Sequence, residues 1–324
     1  MAQDTNKVYE FILGDCLKES KKIPDDSISL IITSPPYNIG IKYHKYKDKK
    51  PKEQYLEWIY DIFVECKRIL RDDGHIFLNV GYTNIDPWIS MEIALKLKGL
   101  FKLQNNITWV KSISIGENSE DTYGHFKPIN SARFITPTNE QIYHFTKYGN
   151  VKMDRLAIGV PYKWKCNRKK RNPKKIIVIR KKVKELNLPF DREGAKKVIE
   201  DRNAEWLETY DEYYDQLEEN EKTKATNTLK SDKRCKGNTW FIPYKTINSK
   251  SHKGYHPATY PEDLVEHCIK VSGVKTGSVL DPFVGSGTTI RVVKKLNEKY
   301  DCYNLTGIGI DIDEKYIQYC DKTI

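Results

Sequence analysis

Apolar and polar positions along the first eighty residues spell out strand, loop, helix, turn, strand. Residues 8–13 form a short apolar run ending at Gly14-Asp15, and Ser29-Leu30-Ile31-Ile32-Thr33 a second one ending at Ser34-Pro35-Pro36-Tyr37. Each reads as a buried strand closed by turn residues, which puts both turns on the same sheet edge. Leu56, Ile59, Phe63, Cys66 and Leu70 then recur at spacings of three and four, as on a helix with one face on a core, and Asp72-Asp73-Gly74 should stop it. A further strand is expected at residues 75–80, making a right-handed crossover unit of α/β type.

From about Ile113 to Asn238 this pattern thins. Between Lys165 and Lys184 eleven positions are Lys or Arg, interleaved with Trp164 and with Ile176-Ile177-Val178-Ile179, which reads as a strand carrying phosphate-facing side chains. Residues 200–221 are acidic and suit its solvated counterpart, with Trp206, Tyr210, Tyr213 and Leu217 at helical spacing for packing. The region looks inserted, and Lys165, Arg168, Lys169, Lys170 and Arg171 are its candidate DNA contacts. The helical stripe resumes with Leu264, Val265, Cys268 and Ile269 after Pro261. A strand at residues 278–280 then delivers Asp281-Pro282-Phe283-Val284-Gly285-Ser286-Gly287-Thr288-Thr289. The expected domains are residues 1–112 as the catalytic half of a core, 113–238 as the insert and 239–324 as the cofactor-binding half.

The chain has 324 residues, 39% hydrophobic and 31% charged, as expected of a globular protein with one large or two small cores. No apolar stretch approaches the roughly eighteen residues that span a bilayer, and the first six residues lack a signal-like pattern; a cytoplasmic, membrane-free protein is expected. A net charge of +11 favours a polyanionic partner. Seven cysteines without a Cys-x-x-Cys pair suggest neither a disulfide framework nor a zinc site, and no metal is expected.

A glycine turn between strand and helix lets backbone amides approach a ligand, and Gly285-x-Gly287 lacks the third glycine of the dinucleotide fingerprint. Asp281, at the strand end, is placed to pair with a cationic amino group. The next strand, residues 305–310, ends at Asp311, which can accept from both ribose hydroxyls, with Asp313 as the fallback. Either aspartate, Asp281 or Asp311, could instead cap a helix. A ligand with an amino-acid end and a ribose end describes S-adenosylmethionine.

On these motifs the chain resembles the DNA amino-methyltransferases of permuted, beta-type order, in which the catalytic loop precedes the cofactor loop. Ser34-Pro35-Pro36-Tyr37 is similar to the family's catalytic motif, the stretch from Asp281 to Gly287 to its cofactor motif, and Asp311 to its ribose-binding acid. Gly14-Asp15 resembles the position whose carboxylate meets the adenine, and His256-Pro257-Ala258-Thr259-Tyr260-Pro261 the motif opening the helix before the cofactor strand. The resemblance implies a Rossmann-like α/β sheet with helices on both faces plus a target-recognition insert. It also implies S-adenosylmethionine as cofactor, held by Asp15, Asp281, Pro282, Phe283, Gly285, Ser286, Gly287, Thr288 and Asp311. Double-stranded DNA is the implied substrate, in a bacterial restriction-modification system with a cognate endonuclease and a homodimer as further partners.

In that chemistry the base is flipped from the duplex, stacked on Tyr37, and hydrogen-bonded through its amino group to Ser34 and the Pro35 carbonyl, with Pro36 stiffening the loop. No cysteine follows a proline, so the nucleophile of carbon-5 cytosine enzymes is absent. Serine at the first motif position is usual for N4-cytosine enzymes, and N6-adenine is the alternative target. RNA or protein-glutamine methylation, and a non-catalytic nucleic-acid-binding module, are the remaining readings. The first two usually place the cofactor loop first, and the intact Ser34, Tyr37, Asp281, Gly285 and Gly287 speak against the last.

Overall fold

The structure is a computed structural model that describes residues 8–116, 118, 120–124, 126, 131–161, 173–189, 197, 233–243 and 259–324. It divides into two compact units, residues 1–158 with 236–324, and residues 159–235.

The larger unit is built on an eight-stranded sheet. Its members in chain order are β1 (Tyr9–Leu13), β2 (Ile28–Thr33), β3 (Leu70–Val80), β4 (Lys102–Val110), β7 (Asn139–Thr146), β10 (Thr239–Phe241), β11 (Thr276–Asp281) and β12 (Asn304–Asp311). Two short strands, β5 (Ser112–Ile115) and β6 (Asp121–Gly124), form a separate hairpin, and in the smaller unit β8 (Val160–Pro161) pairs with β9 (Lys233–Arg234). The sheet order is β1-β12-β11-β2-β3-β7-β4-β10, and β7 alone runs against its neighbours. Every residue of β2 is buried, as expected of a central parallel strand covered on both faces.

Two apolar clusters show that both faces are covered. On one, Ile59, Phe63 and Cys66 of α2 (Lys52–Ile69) and Ile93 of α3 (Ile89–Leu97) pack with Ile31, Ile76 and Leu78. On the other, Leu264 and Cys268 of the helix Glu262–Ser272 (α5) and Val293 of the helix Thr288–Lys299 (α6) pack with Leu30, Phe77 and Val279. The expected α/β sheet with helices on both faces is present. Burial of such side chains contributes about 1.5–3 kcal/mol each, the dominant favourable term.

Three local expectations need correction. The helix from Leu56 begins at Lys52 and ends at Ile69, and Asp72-Asp73-Gly74 lies within β3 rather than in a turn. Leu70 turns extended, with ψ 137°, because it pairs with Ile28 and is fully buried there. Secondly, β7 lies inside the stretch expected to be inserted, yet it pairs with β3 and β4 in the central sheet, and the compact second unit spans only residues 159–235. Thirdly, Ile176-Ile177-Val178-Ile179 is not a strand but part of helix α4 (Pro173–Glu185), in which Val178 and Val183 are buried. Proline suits the first turn and the flanking Lys and Arg are good helix formers, so a short apolar run between them goes helical. The candidate DNA contacts at 165–171, the acidic segment 200–221 and His256 lie outside the described residues.

Strand β7 carries His144, wholly buried between sheet neighbours. Asn105 Nδ2 donates to His144 Nδ1 at 2.9 Å, so His144 carries its proton on Nε2 and donates it to His75 Nδ1, also 2.9 Å away. Phe77 stacks on His144 with ring centroids 4.5 Å apart. Burial pushes His75 down to about 4 and, with the neighbouring His75 adding to it, His144 down to about 3.

Both histidines are therefore neutral in the folded protein and titrate near 6.5 when unfolded. Their contribution is complete above about pH 6.5 and is lost as pH falls toward about 4, because the unfolded chain then takes up protons that the folded one refuses. Urea midpoints measured between pH 7 and 5 should show stability falling by up to about 1.4 kcal/mol per pH unit for each histidine. An H75Q/H144Q variant should lack that slope; an unchanged slope would refute the assignment.

Candidate active site

Two loops at the carboxyl edge of neighbouring strands face each other. β2 ends in the Ser34-Pro35-Pro36-Tyr37 loop, and β11, its parallel neighbour, ends in the glycine loop. The junction is made by Asp281, 1% exposed, whose Oδ1 accepts from Thr33 Oγ1 at 2.8 Å and from the Phe283 amide at 3.1 Å. Its Oδ2 accepts from Tyr260 Oη at 2.8 Å and from Thr289 Oγ1 at 2.6 Å. Burial raises the Asp281 carboxyl above the usual range, and these donors oppose the rise. Four donors surround the carboxylate, and Asp281 is not among the residues lining the cavity. Asp281 instead holds the two loops together.

The remaining site residues gather around one cavity of about 870 Å³. Ser34, Pro35, Pro36 and Tyr37 lie on one side; Pro282, Phe283, Gly285, Ser286 and Thr288 on another; Asp15 and Asp311 also line it. Such a volume is at the upper end for small-molecule sites and leaves room for two ligands side by side. Gly287 lies behind the wall at the N-cap of α6 with φ 79°, where a Cβ would stand 2.8 Å from Cys320 Sγ and 2.5 Å from the Ile324 side chain. Only glycine fits that left-handed, crowded position.

Asp311 ends β12, where its Oδ2 accepts the Gly285 amide at 3.0 Å and its Oδ1 the Asp313 amide at 2.8 Å. Each oxygen keeps a second lone pair for a ligand. Burial raises Asp311 to about 6 against those two amides. The Gly14 amide donates to the Asp311 carbonyl at 2.9 Å, which seats Asp15 beside it. Asp15 N-caps helix α1 (Cys16–Ser20), accepting from the amides of Leu17 and Lys18. Asp313 likewise caps the final helix, Glu314–Thr323 (α7), and its carboxylate lies 3.2 Å from His44 Nδ1. The fallback residue thus caps a helix through Oδ1 while its Oδ2 accepts no hydrogen bond among the described residues, and both aspartates line the cavity.

Of residues 38–50, Ile39, Ile41, Tyr43, Lys45, Tyr46, Lys47 and Lys50 also line the cavity. Asp48, buried, folds the segment by accepting the amides of Asn38, Ile39 and Ile41. Tyr46 stacks on Trp58 with ring centroids 5.4 Å apart, and Trp58 meets Phe283 edge-on at 5.6 Å. These faces suit a flat heterocycle or a cation.

On the catalytic side Tyr37 is partly buried, and its ring packs so closely over Gly81 that a Cβ there would come within 2.8 Å of the ring. Ser34 Oγ and Tyr37 Oη are 2.7 Å apart. Tyr37 Oη donates to Glu140 Oε2 at 3.1 Å. Asn79 Nδ2 donates to Tyr37 Oη at 2.8 Å and to Glu140 Oε2 at 2.7 Å, and Lys111 Nζ holds Glu140 Oε1 at 2.9 Å. The Pro36 carbonyl is taken by Tyr55 Oη at 2.7 Å, whereas the Pro35 carbonyl has no donor among the described residues. Burial first, and Glu140 second, push the Tyr37 hydroxyl well above its ordinary range, so it stays protonated.

Sequence reasoning missed Asn79, Lys111 and Glu140. Their only signal was a polar residue at each strand end, and nothing in the sequence says that β7 runs antiparallel to bring Glu140 beside β3. Among the described residues no cluster of His, Cys, Asp and Glu is fit to hold a metal, and no helix is long and apolar enough to cross a membrane. Cys16, Cys66, Cys268 and Cys320 are buried free thiols, and burial pushes Cys66 up to about 12.

Comparison with known proteins accords with this geometry. The profile of a family described as DNA methylase, covering the N6 and N4 enzymes, matches residues 28–322. The Type II methyltransferase M.BglII of Bacillus subtilis is 27% identical over 97% of this chain and 68% of its own length. The DNA adenine methyltransferase YhdJ of Escherichia coli is 24% identical over 97% of this chain and 81% of its own. Among solved structures, the cytosine-N4-specific PvuII DNA methyltransferase superposes with a TM-score of 0.57 at 15% identity, covering 98% of this chain and 88% of that one. The chain belongs to the N6/N4 DNA methylase family, and its order of catalytic loop before cofactor loop is that of the family's beta type.

Proposed function

We propose that this protein transfers the methyl group of S-adenosylmethionine to the exocyclic N4 of a cytosine flipped out of duplex DNA. The observation that carries the reading is the single cavity onto which both the Ser34-Pro35-Pro36-Tyr37 loop and the glycine loop open. The residues present fit the cofactor: amides at the start of α6 for its carboxylate, Asp311 for ribose hydroxyls, and aromatic faces from Trp58 and Phe283. When bound, that cofactor supplies an electrophilic methyl group.

The chain's own residues supply positioning. Ser34 Oγ and the Pro35 carbonyl offer acceptors to a base amino group, and the Tyr37 ring offers a stacking face. Asp281 acts on the cofactor loop through Thr33, Tyr260 and Thr289 rather than by touching the ligand. Asp15, Pro282, Ser286 and Thr288 complete the cofactor side, with Gly287 shaping the loop behind them. The residues around 165–171 and the rest of the stretch 113–238 outside the sheet are proposed to contact DNA. A cognate endonuclease acting on the same site, a cytoplasmic location and a homodimer go with this reading. The serine at the first loop position favours cytosine; N6-adenine is the second reading, favoured by the similarity to the adenine enzyme YhdJ.

Incubation with mixed-sequence duplex DNA and labelled cofactor, followed by nucleoside mass spectrometry, should yield N4-methylcytosine. N6-methyladenine would keep the mechanism and overturn the base, and no labelled nucleoside would overturn both. Because protonation removes the acceptor at Asp311, cofactor affinity measured by calorimetry should be full above about pH 6 and fall below it; Asp311→Asn should bind weakly and lose that pH dependence. Gly81→Ala, by displacing the Tyr37 ring, should slow single-turnover methylation by about 10²-fold, the cost of an ångström-scale misplacement. Calorimetry of that variant should show cofactor affinity nearly unchanged.

A further inference from the structure

The network behind the catalytic loop has a direction. Tyr37 owns one hydroxyl proton and gives it to Glu140 Oε2. The 2.7 Å contact between Ser34 Oγ and Tyr37 Oη must then be filled by the serine proton, since Tyr37 has no second one to give. Ser34 Oγ is thereby left with lone pairs for the cavity that it lines. Asn79, 3% exposed, cannot serve as the base at this point, because its Nδ2 donates to both Tyr37 and Glu140. The one anionic acceptor in the array is Glu140, delivered by the antiparallel strand β7 with its register Asn79 opposite Ile142 and Val80 opposite Gln141.

We infer that Glu140 is the terminal proton acceptor of the methyl transfer, reached from the base through Ser34 and Tyr37. This rests on the amino-methylation proposed above. As the amino nitrogen bonds to the methyl carbon, the electron pair of the breaking S–CH3 bond goes to sulfur and the nitrogen is left with a surplus proton. That proton passes to Ser34 Oγ, the serine proton passes to Tyr37 Oη, and the tyrosine proton passes to Glu140 Oε2. Both hydroxyls end as they began, the methylated base is neutral, and Glu140 is a carboxylic acid that solvent later deprotonates. Lys111 on Oε1 orients the carboxylate so that Oε2 faces Tyr37. The tyrosine keeps its proton between turnovers, so the relay runs as a concerted hop and needs no tyrosinate.

The bland alternative is that Glu140 merely packs Tyr37 in place, and pH profiles separate the two. With cofactor held saturating at each pH, so that Asp311 does not contribute, single-turnover methylation of duplex DNA by the wild-type protein should fall in acid. Glu140→Gln should be about 10²-fold slower, as for loss of a general base, and should lose that acid limb. Tyr37→Phe keeps the ring and the Lys111 pair but cuts the chain, so it should be slowed comparably, and the double variant should be no slower than the slower single one. Infrared difference spectra across one turnover should show a protonated carboxyl band in the wild type that is missing in Glu140→Gln.

At saturating cofactor, an acid limb retained in Glu140→Gln, additive effects in the double variant, or no such band would overturn the relay. Should Glu140→Gln fail to bind cofactor by calorimetry, Tyr37→Phe decides alone, and a wild-type rate for it would overturn the relay. A wild-type protein that methylates no nucleobase would bring down the proposed function itself, and the relay with it.

Discussion

The hydrogen bond from Thr33 to Asp281 joins residues 248 positions apart in the chain, and the site depends on it. Thr33 is the last residue of the strand that carries the catalytic loop, and Asp281 the last of the strand that carries the glycine loop. Their parallel pairing places both loops at one sheet edge, and the buried carboxylate then draws in Tyr260 and Thr289 as well. A buried carboxylate is costly unless its oxygens are filled, and here four donors fill them. Removing any one would leave an unsatisfied buried acceptor at the seam between the two halves of the site.

A second constraint is the reversed strand β7. Seven strands of the sheet run one way, and their carboxyl ends supply the catalytic and cofactor loops; β7 presents its amino end at that edge. Glu140 sits at that end and so meets Asn79 and Tyr37, which a parallel strand would have kept at a distance. The same strand buries His144 against His75 and Asn105, so a polar contact in the core locks the register that positions Glu140. Packing and chemistry are thus coupled through one strand.

Much of the fold and of the site was legible in the sequence where local chemistry is strong. Continuous apolar runs closed by Gly14-Asp15, by Ser34-Pro35-Pro36-Tyr37 and by Asp281-Pro282 announce buried strands with ligand-facing loops, and each ends a strand of the sheet. The reading failed where polar groups are satisfied by distant partners. The thinning of apolar residues after Ile113 made β7 look like insert, Leu70 continued a helical stripe that the sheet claimed, and the isoleucines of α4 resembled a strand. The partners of Asp281, namely Thr33, Tyr260 and Thr289, could not be read locally, because Thr33 in particular lies 248 positions away.

By itself the sequence determined the α/β alternation, the two loops and their order, because turn chemistry and apolar periodicity are local properties of a few adjacent residues. Only the tertiary structure decided which strands are neighbours, that one of them is reversed, and that Asn79, Lys111 and Glu140 converge on Tyr37. Those outcomes follow from sheet pairing and burial, which balance contributions from the whole chain and leave no mark at any single position.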